Sequence, residues 1–183
     1  MRNAATAFAF LIVLGVVTLI FAMQWYPAIL VRTPDASGGR AHIIWEYQIN
    51  QVADSAITYY KNALENASSS LQVTAGIRRD AHEKSAETLI ENILVRDAVR
   101  VGGWEKETDA LVTQKIAEYN NQPNFGVALS LVYGLDNSGF TELIARPEAE
   151  REILKTKKGW DDAALAAWIE EEKKASRIVR FSD

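Results

Sequence analysis

The sequence predicts an all-α protein in which a single N-terminal transmembrane helix precedes an irregular multi-helix domain. Residues 4–23 form one uncharged apolar run. After His42, apolar side chains recur at steps of three and four residues, as on one face of a helix. No stretch shows the alternation of β-branched and polar residues that is typical of a half-buried strand. The 183 residues are enough for one domain of ordinary size and an appendage.

The apolar run is long enough to cross a membrane. Its twenty residues would extend about 30 Å as a helix, which matches the hydrocarbon core of a bilayer. Arg2 is the only charged side chain before Arg32, so the N-terminus is expected in the cytoplasm and the domain in the periplasm or at the cell surface. Trp25 and Tyr26 suit the headgroup region. A cleaved signal peptide is the alternative, although its apolar core is ordinarily shorter and precedes small residues.

Charge, turn residues and apolar periodicity divide the chain into four segments. The predicted anchor occupies residues 1–31, and a linker containing Pro, Ser and Gly occupies 32–41. The helical domain covers 42–158, and a C-terminal helix and tail cover 159–183. Because no second apolar run of this length occurs, the chain is predicted to cross the membrane once.

Capping and turn residues separate the predicted helices. Gly102 and Gly103 end the helix that carries the clearest apolar stripe. Thr108, Ser138 and Asp161 are suitable N-cap residues for later helices. The pattern predicts a first helix to about residue 67, a second to about 101, a third over 108–119, a short fourth over 125–133, and three more beginning near 138, 147 and 161.

Composition excludes several kinds of chemistry. The chain has no cysteine, which excludes disulfide scaffolds, iron–sulfur clusters and cysteine nucleophiles. Its two histidines, His42 and His82, are too few for a metal site built on imidazole, and His82 is interpreted as a surface residue. A net charge of −4 argues against nucleic acid as a partner. No catalytic residue, metal, cofactor or small-molecule substrate is predicted.

One order of motifs spans much of the chain. The helical segment LIENILVRDA at 89–98 precedes a glycine pair, a short helix, the YGL turn at 133–135, Phe140, and the IARP segment at 144–147. This order resembles the N-terminal domain of SurA- and PrsA-type extracytoplasmic chaperones over roughly residues 43–158. Full members of that family usually continue into a parvulin-type peptidyl-prolyl isomerase domain with paired histidines. Neither histidine of this chain occupies such a position, so no isomerase site is expected.

The resemblance implies that unfolded or extended polypeptides bind an apolar surface between helices. Exposed aromatic side chains are the best candidates for such a surface. Tyr59 and Tyr60 are favoured because adjacent helical positions do not both face one core, and Trp104 is favoured because it follows a glycine turn. The candidate polypeptide-binding residues are Tyr59, Tyr60, Trp104, Phe125, Tyr133 and Phe140.

Two other functions stay open at this point. The chain would also suit a helical structural or adaptor protein that pairs with one fixed partner in an envelope complex. A truncated peptidyl-prolyl isomerase, with its catalytic part lost or encoded separately, is the other alternative. The expected partners are therefore polypeptides, together with a membrane contacted through residues 4–23.

Overall fold

The computed structural model describes Thr18 and residues 23–34, 38–66 and 72–181. Its strands are β1 (Pro27–Arg32), β2 (Ala41–Trp45) and β3 (Arg177–Arg180). Its α-helices are α1 (Glu46–Asn66), α2 (Ala75–Val101), α3 (Glu105–Asn120), α4 (Phe125–Ala128), α5 (Asn137–Phe140), α6 (Arg146–Lys158) and α7 (Asp162–Ala175). Two π-helical turns, π1 (Leu129–Tyr133) and π2 (Thr141–Ala145), continue α4 and α5.

The prediction of an all-α fold is wrong, because three strands form an antiparallel sheet in the order β2–β1–β3. The first and last residues of the predicted linker, Arg32 and Ala41, lie in β1 and β2, and residues 27–31 of the predicted anchor lie in β1. β1 is the central strand, with Ala28, Ile29 and Val31 buried. A strand covered in this way has a continuous apolar run without alternation, so its sequence looks like an extension of the apolar segment before it.

The prediction of a single-pass membrane protein is also contradicted. Within residues 23–34, 38–66 and 72–181, no helix combines the length and the apolar character needed to cross a bilayer. The predicted orientation depended on a membrane-spanning helix. The prediction of a cytoplasmic N-terminus and a domain in the periplasm or at the cell surface is therefore contradicted as well. Residues 4–22 of the predicted anchor, apart from Thr18, lie outside the described residues.

Three hydrophobic clusters form the core. The first cluster packs the sheet and the start of α1 on α2 through Ile29, Val31, Ile44, Ile49, Ile90 and Leu94. The second cluster packs the end of α2 on α6 and α7 through Val95, Val99, Leu154, Leu165 and Ile169. The third cluster joins the segment from α3 to π2 through Leu129, Leu135, Phe140 and Ala145. α1 connects two of these regions, because it starts at the sheet and contacts π1.

One predicted N-cap is confirmed, and two others differ from the structure. Asp161 caps α7 by accepting the Ala164 N–H at 2.8 Å. Thr108 is not an N-cap; it lies within α3, and its hydroxyl donates to a backbone carbonyl one turn earlier. Asp136 rather than Ser138 caps α5, where it accepts the Gly139 N–H at 2.7 Å. The predicted interruption at 68–70 lies outside the described residues.

Candidate functional site

Three of the six candidate residues meet at the C-terminal half of α1. The Tyr59 ring stacks on the Tyr133 ring with 5.2 Å between centroids, and Tyr60 meets the edge of Tyr59 at 5.6 Å. The π1 turn contacts α1, and Val127 and Leu131 lie four residues apart and therefore on one face of the α4–π1 segment. The exposed fractions of Tyr60, Val127 and Leu131 are 61%, 60% and 67%. We call these five residues the tyrosine surface.

A π-helical turn presents the Leu131 side chain to solvent. The Asn62 side-chain amide of α1 donates to the Leu131 carbonyl and, at 3.4 Å, to the Val132 carbonyl. On the opposite side of π1, Leu129 is buried in the third cluster. Gly134 ends the turn with φ 64°, a left-handed conformation that favours glycine. π-Helical turns of this kind occur frequently at functional sites.

Two further candidates, Phe125 and Phe140, lie in the third cluster. Phe140 is buried, and its ring contacts those of Tyr119 and Phe125 at centroid distances of 5.0 and 5.1 Å. Tyr133 packs against the same cluster. These phenylalanines therefore belong to the core on which Tyr133 packs. Phe140 is not accessible to a ligand, because it is buried.

Trp104 lies in a different place from the other candidates. It is half-buried against the second cluster, together with Trp160 and Trp168. The Lys158 ammonium is 5.8 Å from the centroid of the Trp104 ring, in a cation–π contact. A Cβ atom on Gly102 would approach the same ring to 2.6 Å, which explains the glycine. The structure thus groups Trp104 with Trp160 and Trp168 and not with the tyrosines.

An apolar groove between α1 and α2 adjoins the tyrosine surface. Its volume is about 420 Å³, and Tyr60 forms part of its wall. Asp80 and Lys84, one charge of each sign, are its ionisable lining residues other than Tyr60. The apolar lining comes from Val52, Ala56, Ile57 and Leu64 of α1 and from Ile77 and Ala81 of α2. We call this feature the α1–α2 groove.

Sequence reasoning missed two histidine–carboxylate pairs. His42 Nε2 lies 2.8 Å from an Asp97 carboxylate oxygen, and His82 Nε2 lies 2.8 Å from a Glu46 oxygen. Asp97 is buried and also accepts the Thr33 hydroxyl at 2.9 Å. His82, interpreted from the sequence as a surface residue, is instead half-buried. No local pattern signals these pairs, since their members are 55 and 36 residues apart.

A buried carboxylate joins α6 to α2. Burial raises the pKa of Glu150 above its ordinary value, although Arg96 opposes this by donating to one carboxylate oxygen at 2.8 Å. The other oxygen, Oε2, is shielded from solvent and has no hydrogen-bond partner among the described residues. Among residues 23–34, 38–66 and 72–181, no three His, Asp or Glu side chains are placed to hold a metal ion.

No protein-family model, curated protein or solved structure matches this chain. The resemblance to SurA- and PrsA-type domains therefore stays a prediction based on the order of motifs.

Proposed function

We propose that this protein binds unfolded or extended polypeptides and acts as a chaperone-like module through binding alone, without catalysis. The tyrosine surface is the observation that supports the proposal. Three of its side chains, Tyr60, Val127 and Leu131, are exposed over three-fifths or more of their surface. Unfolded chains expose the apolar side chains that folded proteins bury, so they can cover such a surface and remove it from water.

The α1–α2 groove favours an extended ligand over a compact one. From Val52 to Leu64, α1 rises about 18 Å, which is the length of five or six residues of extended chain. Tyr60 joins this groove to the tyrosine surface, so one bound segment can contact both. The opposite charges of Asp80 and Lys84 select for neither sign of ligand charge, as expected of a protein with many clients.

The test is suppression of client aggregation by the full-length protein. An unfolded client is diluted from denaturant with an equimolar amount of protein, and light scattering is followed. We expect slower aggregation with the wild type and a loss of this effect with Tyr60→Ser. Phe181→Ser is the matched control, because Phe181 is an aromatic residue of similar exposure, 57%, next to the sheet at the other end of α1.

Two results would contradict the proposal. One is equal suppression by Tyr60→Ser and Phe181→Ser, which would separate the activity from the tyrosine surface. The other is a wild-type protein that fails to slow aggregation of several unrelated clients. If such a protein retained one partner at fixed stoichiometry, the adaptor function would be favoured instead.

A further inference from the structure

β2 forms one edge of the sheet and leaves outward backbone groups unpaired by any described strand. The Thr33 N–H donates to the Arg40 carbonyl at 2.9 Å. Hydrogen-bonded pairs alternate along antiparallel strands, so Val31 and His42, two positions further on in each strand, form the next such pair. Ala41 lies between these two pairs, and Ile43 lies between His42 and Ile44, so Ala41 and Ile43 direct their N–H and C=O groups away from β1.

The two edges of the sheet differ in their protection. At the other edge, β3 has only four residues, and Arg177 and Arg180 are the first and the last of them. Charged residues discourage pairing of an edge strand with another chain. β2 carries Ala41 and Ile43 at its outward-facing backbone positions, and Ile43 is 49% exposed. β2 also has no Lys or Pro, which commonly protect an edge.

A cavity of about 260 Å³ lies beside the β2 edge and above α2. Its wall on the side away from β2 includes Leu143 of π2. Asn92 Oδ1 is shielded from solvent and has no hydrogen-bond partner among the described residues. Its apolar lining comes from Ile43 and Ile44 of β2, Leu89 and Ile93 of α2, and Leu143, and its polar lining comes from His42, Gln48, Asn92, Arg96 and Glu142.

We propose that an extended polypeptide pairs with β2 as a fourth strand of the sheet. An extended backbone supplies the alternating N–H and C=O groups that the outward groups of Ile43 require. Every second side chain of the added strand points toward α2 and covers the half-buried Leu89 and Ile93. A hydroxyl on such a side chain donates to Asn92 Oδ1. The preferred ligand is thus an extended segment whose α2-facing positions, which are every second residue, carry both a β-branched apolar residue and a threonine or serine.

The inference takes one element from the proposed function, namely that the ligand is an extended polypeptide. The β2 edge lies at the N-terminal end of α1, whereas Tyr60 lies about 21 Å further along that helix. Binding at one place does not require the other. A ligand held by backbone pairing at β2 therefore distinguishes the two sites, because the tyrosine surface binds through side chains.

The test uses the full-length protein and a fluorescent, capped peptide of sequence VVTTV, which carries both valine and threonine on each face when extended. Binding is measured by fluorescence anisotropy for the wild type, Ile43→Pro and Ile43→Val. Proline at 43 removes an N–H that makes no bond within the sheet, so the hairpin should persist. We expect about tenfold weaker binding for Ile43→Pro, with Ile43→Val close to wild type.

A second measurement uses the wild-type protein alone and does not depend on the folding of a variant. The same peptide with every backbone amide methylated cannot donate to β2, so its binding should fall at least as far. Hydrogen exchange followed by NMR should show that the unmodified peptide protects the Ile43 N–H. Equal binding of the methylated peptide, or protection at Ile178 of β3 instead of Ile43, would overturn the inference and leave the tyrosine surface untouched.

Discussion

Two of the aromatic regions of the molecule differ in what surrounds them. Trp160 and Trp168, with 5.6 Å between ring centroids, pack with Trp104 over the second cluster, where α7 meets α2. The tyrosine surface also contains three rings, but that of Tyr60 faces solvent. Similar side chains therefore hold helices together in one region and leave a surface open to a ligand in the other. What separates them is the presence of a covering helix.

The largest expected effect concerns the core beneath the tryptophans. Leu154 is fully buried in the second cluster, so Leu154→Ala should lower the free energy of unfolding by about 2–5 kcal/mol. Urea denaturation measures this loss. Under conditions where the variant stays folded, client binding should equal that of the wild type. A loss of binding in proportion to stability would show that the two regions are not independent.

Trp104→Ala should have a smaller effect on stability. The half-buried ring packs on the second cluster and meets Lys158, and its removal should cost about 2 kcal/mol. Denaturation and aggregation assays on the same preparation separate the two possible roles. Weaker client binding at unchanged stability would mean that Trp104 acts with the tyrosines, as its position after a glycine turn suggested.

Apolar periodicity predicted the long helices because each buries a stripe of its own residues. The predicted third helix, 108–119, agrees with α3 (Glu105–Asn120) apart from its first turn. The sheet was missed for two physical reasons. β1 is apolar without alternation, and β3 pairs with residues almost 150 positions earlier, a contact that no local pattern encodes.

The sequence predicted exposed candidate residues correctly only where helix geometry alone keeps a side chain out of the core. Adjacent helical positions such as Tyr59 and Tyr60 do not share one buried face, and both are exposed. Val127 and Leu131 were missed, because their exposure depends on how π1 packs against α1. Trp104 and Phe140 were predicted to be accessible, but segments distant in sequence pack on them and cover them.

Leu131→Ser should affect binding with little change in stability. Leu131 is already mostly exposed, so its replacement should alter the free energy of unfolding by less than about 0.5 kcal/mol. The bond from Asn62 goes to the Leu131 backbone carbonyl and is retained. Client aggregation should be suppressed less well than with the wild type. A large loss of stability would show that Leu131 belongs to the core, and the contrast between the two regions would disappear.

The smallest expected effect is a pH dependence on the tryptophan side of the molecule. Glu150 lies one helical turn before Leu154 in α6, and burial raises the pKa of its carboxyl despite Arg96. The folded protein therefore binds this proton more tightly than the unfolded chain. The contribution of Glu150 to stability is full below its unfolded pKa, about 4.5, and is lost as pH rises through the folded pKa.

Glu150→Gln isolates this contribution, because glutamine has a similar shape and does not titrate. The stability of the wild type relative to Glu150→Gln should fall as pH rises from about 4.5. Urea denaturation of both proteins at several pH values measures the difference. The substitution should leave client binding unchanged, since Glu150 contacts neither the tyrosine surface nor the α1–α2 groove. A difference in stability that stays constant with pH would mean that Arg96 fully offsets the burial of this carboxylate.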